Sequence, residues 1–338
     1  MQTFFKPLLT ALLVFCSIII FAQGKAPVLL SEGIALQKAG KHAEASSKFK
    51  EALQTEPDNA AANYQLAFSL VALKNGNEAI PYAEKATKLS SNYTAAAYSL
   101  LGGIYDASAQ AAKAIAVYSE GLKTYPNDQN MWFNLGLAYF RDKQYAEAEK
   151  ASVEAMKLDV KHANSQRLYA LVAFHQNKRM NALLGLCSFL LTDPNSPRAE
   201  EAYTNIQSIL KGGVLKGADT KELTTAEAKE AAALNAGITT VINSPAAQKL
   251  SGAQLLEYQL KNIFSFVGQA ASKKVTTTFF DSFFVIFFNN LAQSGHAEAL
   301  AQLISKGADK AAYEKWKQAN PAKVAALEGW LNSISRGF

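Results

Sequence analysis

Histidine, cysteine and clustered carboxylates are the side chains best suited to nucleophilic, acid–base or metal chemistry, and their placement here favours none of the three. The four histidines are His42, His162, His175 and His296. His296 and Glu298 together fall short of the three or four ligands that a zinc ion requires. Asp106 and Asp142 stand in or near what read as helix–helix turns, and no second residue makes either one a general acid or base. No glycine-rich phosphate loop, nucleophile elbow or zinc-protease motif is present. These residues predict a protein without catalysis, metal or cofactor. The enzymatic alternative is an active site within residues 214–338.

The elements around these residues repeat. A small residue recurs as Gly33, Ala67, Gly102, Gly136 and Ala170, at steps of 34, 35, 34 and 34. Ala45, Ala79, Ala114, Ala148 and Ala182 keep the same register, as do the helix-ending positions Pro57, Ser91, Pro126, Val160 and Pro194. Three marks with one rhythm, sharing one insertion near Thr94, predict five helical hairpins at 26–59, 60–93, 95–128, 129–162 and 163–196. In the clearest of them Trp132, Leu135, Gly136 and Tyr139 share one helical face. Gly136 and Ala148 let two helices approach closely, and the larger side chains fill the space around that contact. Pro57 ends its helix because proline lacks an N–H and clashes with the preceding turn. Residues 197–211, beginning at Pro197, read as an amphipathic capping helix.

The pattern Trp-x-x-Leu-Gly-x-x-Tyr followed by Ala148 resembles the tetratricopeptide repeat family, whose units are about 34 residues long. The resemblance implies an all-α superhelix, an α-solenoid, in which each hairpin supplies the apolar wall its neighbour lacks. It also implies that the first helices line a concave face that takes a protein or peptide. Carried over by register, that face begins with Leu30 and Ile34. The candidate partner-binding residues on it are Tyr64, Phe68, Asn130, Phe133, Leu137, Phe140, Arg141, Asn164, Arg167 and Phe174. Some members of the family grip a peptide's C-terminal carboxylate with Lys and Asn on this face. Leu30 and Ile34 occupy it in the first repeat, so that clamp is missing. What remains is an apolar, aromatic groove suited to an amphipathic helix or an extended peptide. The other reading is that these side chains pack on the chain's own C-terminal half.

Lys6 is followed by an apolar run from Leu8 to Ala22, with small residues at Ala22 and Gly24. Residues 1–23 therefore read as a secretory signal peptide, cleaved near Ala22–Gly24, of an exported bacterial protein that is periplasmic or secreted. The run is short of the roughly 20 apolar residues a spanning helix needs, so cleavage leaves no stable membrane span. Phe15 stands where a lipobox would place a small residue before Cys16. Cys187 is then the one remaining cysteine and has no intrachain disulfide partner. Among Leu184, Leu186 and Leu190 it reads as a small buried hydrophobe. The net charge of +6 is spread thinly, with 17 basic against 16 acidic residues over 26–196 and 15 against 12 over 197–338. That leaves no basic stripe, and nucleic acid is excluded as a partner.

Gly212, Gly213 and the polar run to Thr224 predict a linker over 212–224, followed by a smaller all-α domain over 225–338. Thr224 to Glu227 and Ser251 to Gln254 read as capping boxes, the first opening a helix to about Asn243. Asn320 reads as an N-cap with Pro321 at the first helical position. Val324, Leu327, Trp330, Leu331 and Ile334 make one apolar face beyond it. Between Val275 and Leu291 the phenylalanines at 279, 280, 283, 284, 287 and 288 recur in pairs every four residues, a helical stripe. The stripe reads as a buried central helix, or else as a lipid- or partner-binding surface. Ser294 to Ala299 resembles the turn and second-helix start of a degraded repeat. The whole predicts an exported, non-catalytic scaffold binding a protein or peptide in its concave groove. Its alternative is a structural subunit of a cell-envelope assembly that makes contact through the phenylalanine-rich domain.

Overall fold

The computed structural model describes residues 24–213 and 223–334, and every regular element among them is helical. The expected signal peptide and most of the expected linker lie outside the described residues. Ten helices follow the predicted hairpins: α1 (24–38), α2 (His42–Thr55), α3 (Ala60–Ala72), α4 (Gly76–Lys88), α5 (Thr94–Ala107), α6 (Ala111–Thr124), α7 (Gln129–Arg141), α8 (Tyr145–Leu158), α9 (Ala163–His175) and α10 (Arg179–Thr192). After them come α11 (Ala199–Leu210), α12 (Thr225–Ile242), α13 (Gly252–Ala271), α14 (Ile286–Gln293), α15 (Ala297–Ser305), α16 (Lys310–Ala319) and α17 (Pro321–Ser333).

One turn geometry closes each predicted hairpin. Gly40, Lys74, Ala109, Lys143 and Asn177 have φ between +56° and +74°. The N–H of the residue after each reaches the carbonyl five residues back, as Lys41 to Leu36, Asn75 to Leu70, Gln110 to Tyr105, Gln144 to Tyr139 and Lys178 to Ala173, at 2.8–2.9 Å. This double reversal satisfies carbonyls that the end of a helix would otherwise orphan. α11 ends the same way, with Gly212 at φ +76° and the Gly213 N–H 2.8 Å from the Ser208 carbonyl. The loops leading into first helices also repeat a bond. The side chains of Asn63, Trp132 and Gln166 donate to the carbonyls of Pro57, Pro126 and Val160 at 2.8–3.0 Å. Trp132 thus anchors a loop as well as filling space.

Two compact units divide the chain, Met1–Ala138 and Tyr139–Phe338. In the first, a Cβ on Gly33 would lie 2.4 Å from the Phe49 ring, and one on Gly102 would lie 2.4 Å from the Tyr118 ring. The same spacing separates both pairs, so the glycines mark equivalent helix crossings.

The second unit runs across the expected linker at 212–224. One continuous core runs from Met156 through α9, α10 and α11 to Leu327, and it includes Phe280, Phe283, Phe284, Phe287 and Phe288. Tyr169 of the fifth repeat stacks on Phe284 at 5.2 Å. The last repeats and the C-terminal region bury their apolar faces on each other, so the polar stretch after Gly213 does not separate two cores. Within the stripe, Asp281–Val285 is π-helical, and the Ile286 N–H bonds the Asp281 carbonyl. Val275 is fully exposed, ahead of the helix. Asp281 is buried and caps the helix start, accepting from the Thr278 N–H at 2.9 Å and from the Lys274 ammonium at 2.8 Å. Thr224 and Glu227 form the expected capping box. Ser251 and Asn320 do not cap with their side chains, and the Asn320 amide instead donates to the Trp316 carbonyl at 2.9 Å.

Candidate interaction surface

In the first unit the register positions of α2 and α3 bring aromatic side chains into a row. Phe68 lies 6.3 Å from the His42 ring and 6.4 Å from Tyr64, and Tyr64 lies 5.4 Å from Tyr93. Phe68, Val71 and Leu73 are 43%, 37% and 38% exposed, although all three are large and apolar. Tyr64, Phe68 and Val71 share one face of α3, while Leu73 follows the helix end, and a row of three exceeds the single exposed hydrophobes normal on a monomer. Tyr64 is half-buried, and burial, then the nearby Tyr93, pushes its hydroxyl above the usual tyrosine range. The Nδ1 of His42 is buried with no hydrogen-bond partner within the protein. Asn130 is exposed on the same unit, and Phe133 and Leu137 are half-buried.

In the second unit Phe140, Arg167 and Phe174 meet the chain itself. Phe140 packs edge-on against Tyr145 at 5.8 Å and against His175 at 5.1 Å, and His175 stacks on Tyr145 at 4.9 Å. Burial lowers the His175 pKa. Arg167 reaches Glu201 of α11 at 3.5 Å. Phe174 is only 8% exposed and belongs to the core shared with the C-terminal region, so it cannot face an open groove. Arg141 and Asn164 are exposed. Tyr64 and Phe68 are thus brought together on an accessible face, and Phe174 is removed from it. Reading the sequence by register passed over His42 and Tyr93, because both lie outside the first helices. The insertion near Thr94 is the signal that Tyr93 sits in an altered loop.

Three of the groups first considered for chemistry are held by their surroundings. His162 is the N-cap of α9, its Nδ1 accepting from the Ser165 N–H at 3.3 Å. His296 lies 5.6 Å from the Trp330 ring. Cys187 is fully buried, and burial pushes its thiol pKa far up. Among the described residues no group of three histidine, cysteine or carboxylate side chains is placed to hold a metal ion. No described helix is long and apolar enough to cross a membrane.

Residues 36–104 and 100–159 match family models described as tetratricopeptide repeat. No curated protein matches the chain. Among solved structures, YrrB, described as a TPR protein with an unusual peptide-binding site, is 19% identical, with 56% of this chain and 97% of that one covered and a TM-score of 0.48. MamA, residue 41 to its end, from Desulfovibrio magneticus RS-1 is 20% identical over 56% of this chain and 96% of its own, at a TM-score of 0.42. PilF of Pseudomonas aeruginosa is 14% identical over 88% and 99%, at 0.43.

Proposed function

Because the chain belongs, over residues 36–159, to the tetratricopeptide repeat family, we propose that it is a non-catalytic scaffold that binds a protein or peptide on the concave face of its first repeats. One observation carries the reading. The row of His42, Phe68, Tyr64 and Tyr93 continues along the same face of α3 to exposed Val71, a face that water contacts at a cost. A ligand with spaced apolar side chains, an amphipathic helix or an extended strand of peptide, would cover it. The reading includes export, for which Lys6 and the apolar run from Leu8 to Ala22 are the support. The phenylalanine-rich stretch is a poorer contact surface, since Phe280, Phe283, Phe284, Phe287 and Phe288 are buried in the chain's own core.

Selection of a displayed random-peptide library on the full chain tests this. Peptides enriched in spaced apolar residues should bind, and the double variant Tyr64→Ser, Phe68→Ser should weaken them tenfold or more while its circular dichroism is unchanged. Equal binding by the variant, or enrichment without apolar spacing, would overturn the assignment.

A further inference from the structure

The second unit contains a cleft that the concave face does not use. Helices α8, α9, α10 and α12 and the start of the phenylalanine stripe enclose a cavity of about 240 Å³, lined in part by Tyr169, Leu234, Phe279 and Phe280. A second chamber of about 250 Å³ shares the wall formed by Glu149, Val153, Lys178 and Glu227. Charge around the cleft is unbalanced. Lys178 lies 2.7 Å from Glu149 and 3.9 Å from Glu227, and Lys274 lies 2.6 Å from Glu230 and 2.8 Å from Asp281. Lys150 and Glu154, also on the second chamber, pair with Glu147 at 2.7 Å and Lys157 at 2.6 Å, which leaves two ammonium groups divided among four carboxylates. Lys178 and Asp281 are buried, where an excess of one sign is screened least. An independent observation comes from Gln176. It lines the second chamber, is fully buried, and neither of its amide atoms has a hydrogen-bond partner within the protein. Buried amides are almost always paired.

We propose that this cleft binds an aliphatic cation, a primary ammonium or guanidinium group on a hydrocarbon stem. The stem lies against Leu234, Phe279 and Phe280, and the head donates to Glu227 on the wall the two chambers share, with Glu230 lining the first chamber and the Gln176 amide the second. Cations favour such surroundings because aromatic faces and carboxylates both present negative potential, and long aliphatic stems bury readily behind a charged tip. An anion would have to displace Glu149 from Lys178 while facing Glu227 and Glu230. A neutral apolar ligand would leave the Gln176 amide unpaired. The cation has two possible sources, a free alkylamine or a lysine or arginine side chain of a polypeptide.

Isothermal titration of the full chain separates these. The probes are n-pentylamine, N-acetyl-Ala-Lys-Ala-amide, and the same tripeptide with norleucine or glutamate in place of lysine. At least one of the two cationic probes should bind saturably at one site per chain, while the norleucine and glutamate peptides should not. Glu230→Gln should weaken binding tenfold or more, and so should Ala231→Phe, which fills the cavity and keeps every charge. If Glu230→Gln loses its helical circular dichroism, Ala231→Phe carries the comparison alone. Tighter binding of the lysine peptide than of pentylamine assigns the site to a polypeptide side chain, and equal or tighter binding of pentylamine assigns it to a free amine. No binding of either cation, equal binding of the norleucine peptide, or unchanged affinity in the folded variants would overturn the proposal. The same titrations on the Tyr64→Ser, Phe68→Ser variant should be unchanged, which separates binding in the cleft from binding on the concave face.

Discussion

Gly102 lies beneath the Tyr118 ring, where an added Cβ would come within 2.4 Å of a ring carbon. Tyr118 is itself fully enclosed, so it has no free direction in which to move. Gly102→Ala should therefore lower the unfolding free energy by about 1–3 kcal/mol, the ordinary cost of overpacking, as read from urea melts. Ala109 poses the reverse case. It holds φ at +56°, a conformation that costs a non-glycine residue about 1–2 kcal/mol. Ala109→Gly removes that cost and adds about 0.5–1 kcal/mol of unfolded-state freedom, so a net gain of up to about 1.5 kcal/mol is expected in the same melts. The small residues of the crossings were legible in the sequence because packing selects their size. The turn residues were not, because four of the five are Lys, Ala, Lys and Asn, and the geometry is imposed by the helices on either side. His175 adds a pH dependence. Burial lowers its pKa from 6.5, and lowers those of His162 and His296 as well. The unfolded chain then binds more protons than the folded one, so this stability is present above about pH 6.5 and is lost as the pH falls. The urea midpoint should drop on acidification, and His175→Gln should show a smaller drop. An unchanged pH profile in that variant would remove His175 from the account.

The caps separate elements whose sequences look alike. Thr224 and Ser251 each open a helix with a residue pattern suited to a capping box, yet only Thr224 makes the bonds, with the Thr224 N–H 2.8 Å from Glu227 and the Glu227 N–H 3.2 Å from the Thr224 hydroxyl. Thr224→Ala should cost about 1 kcal/mol, and Ser251→Ala should be close to neutral, in parallel thermal melts. The bond from the Thr224 N–H is also the main cause that holds the Glu227 carboxyl below its ordinary value. Its contribution is present at neutral pH and lost as the pH falls below about 4.5. The phenylalanine stripe was legible as helical because its pairs recur every four residues. Its π-helical turn was not, since Asp281 reads as an interruption of an apolar run until the bonds from Thr278 and Lys274 explain it. In α10 the information was in the composition. Met180 and every residue from Ala182 to Leu190 are buried, and a helix apolar on all sides belongs in the middle of a core. Read as the second helix of the last repeat, it has only the capping helix over 197–211 as a partner on its outer side, beyond the array.

At the scale of the whole chain, that outer side decides where the protein can be cut. A repeat array ending in a capping helix would survive removal of everything beyond Lys211, because α11 would present a polar face to water. Here α10 also touches α12, α15 and the π-helical turn, and Tyr169 of α9 stacks on Phe284. Removing α12 to α17 strips those neighbours from α10 and from Tyr169 together, and fully burying large apolar side chains is worth roughly 1.5–3 kcal/mol each. Several such losses equal a large part of the 5–15 kcal/mol by which domains are ordinarily stable. A chain of residues 24–211 should therefore lose amide protection throughout α9 and α10 in hydrogen exchange. The amides of α3 to α6, whose buried contacts in the first unit include Leu66, Ala67, Tyr118 and Met131, should stay protected as in the full chain. Retained protection of α10 in the shortened chain would mean that the repeats end in a self-sufficient cap. The continuous core from Met156 to Leu327 would then be an association of two separable parts.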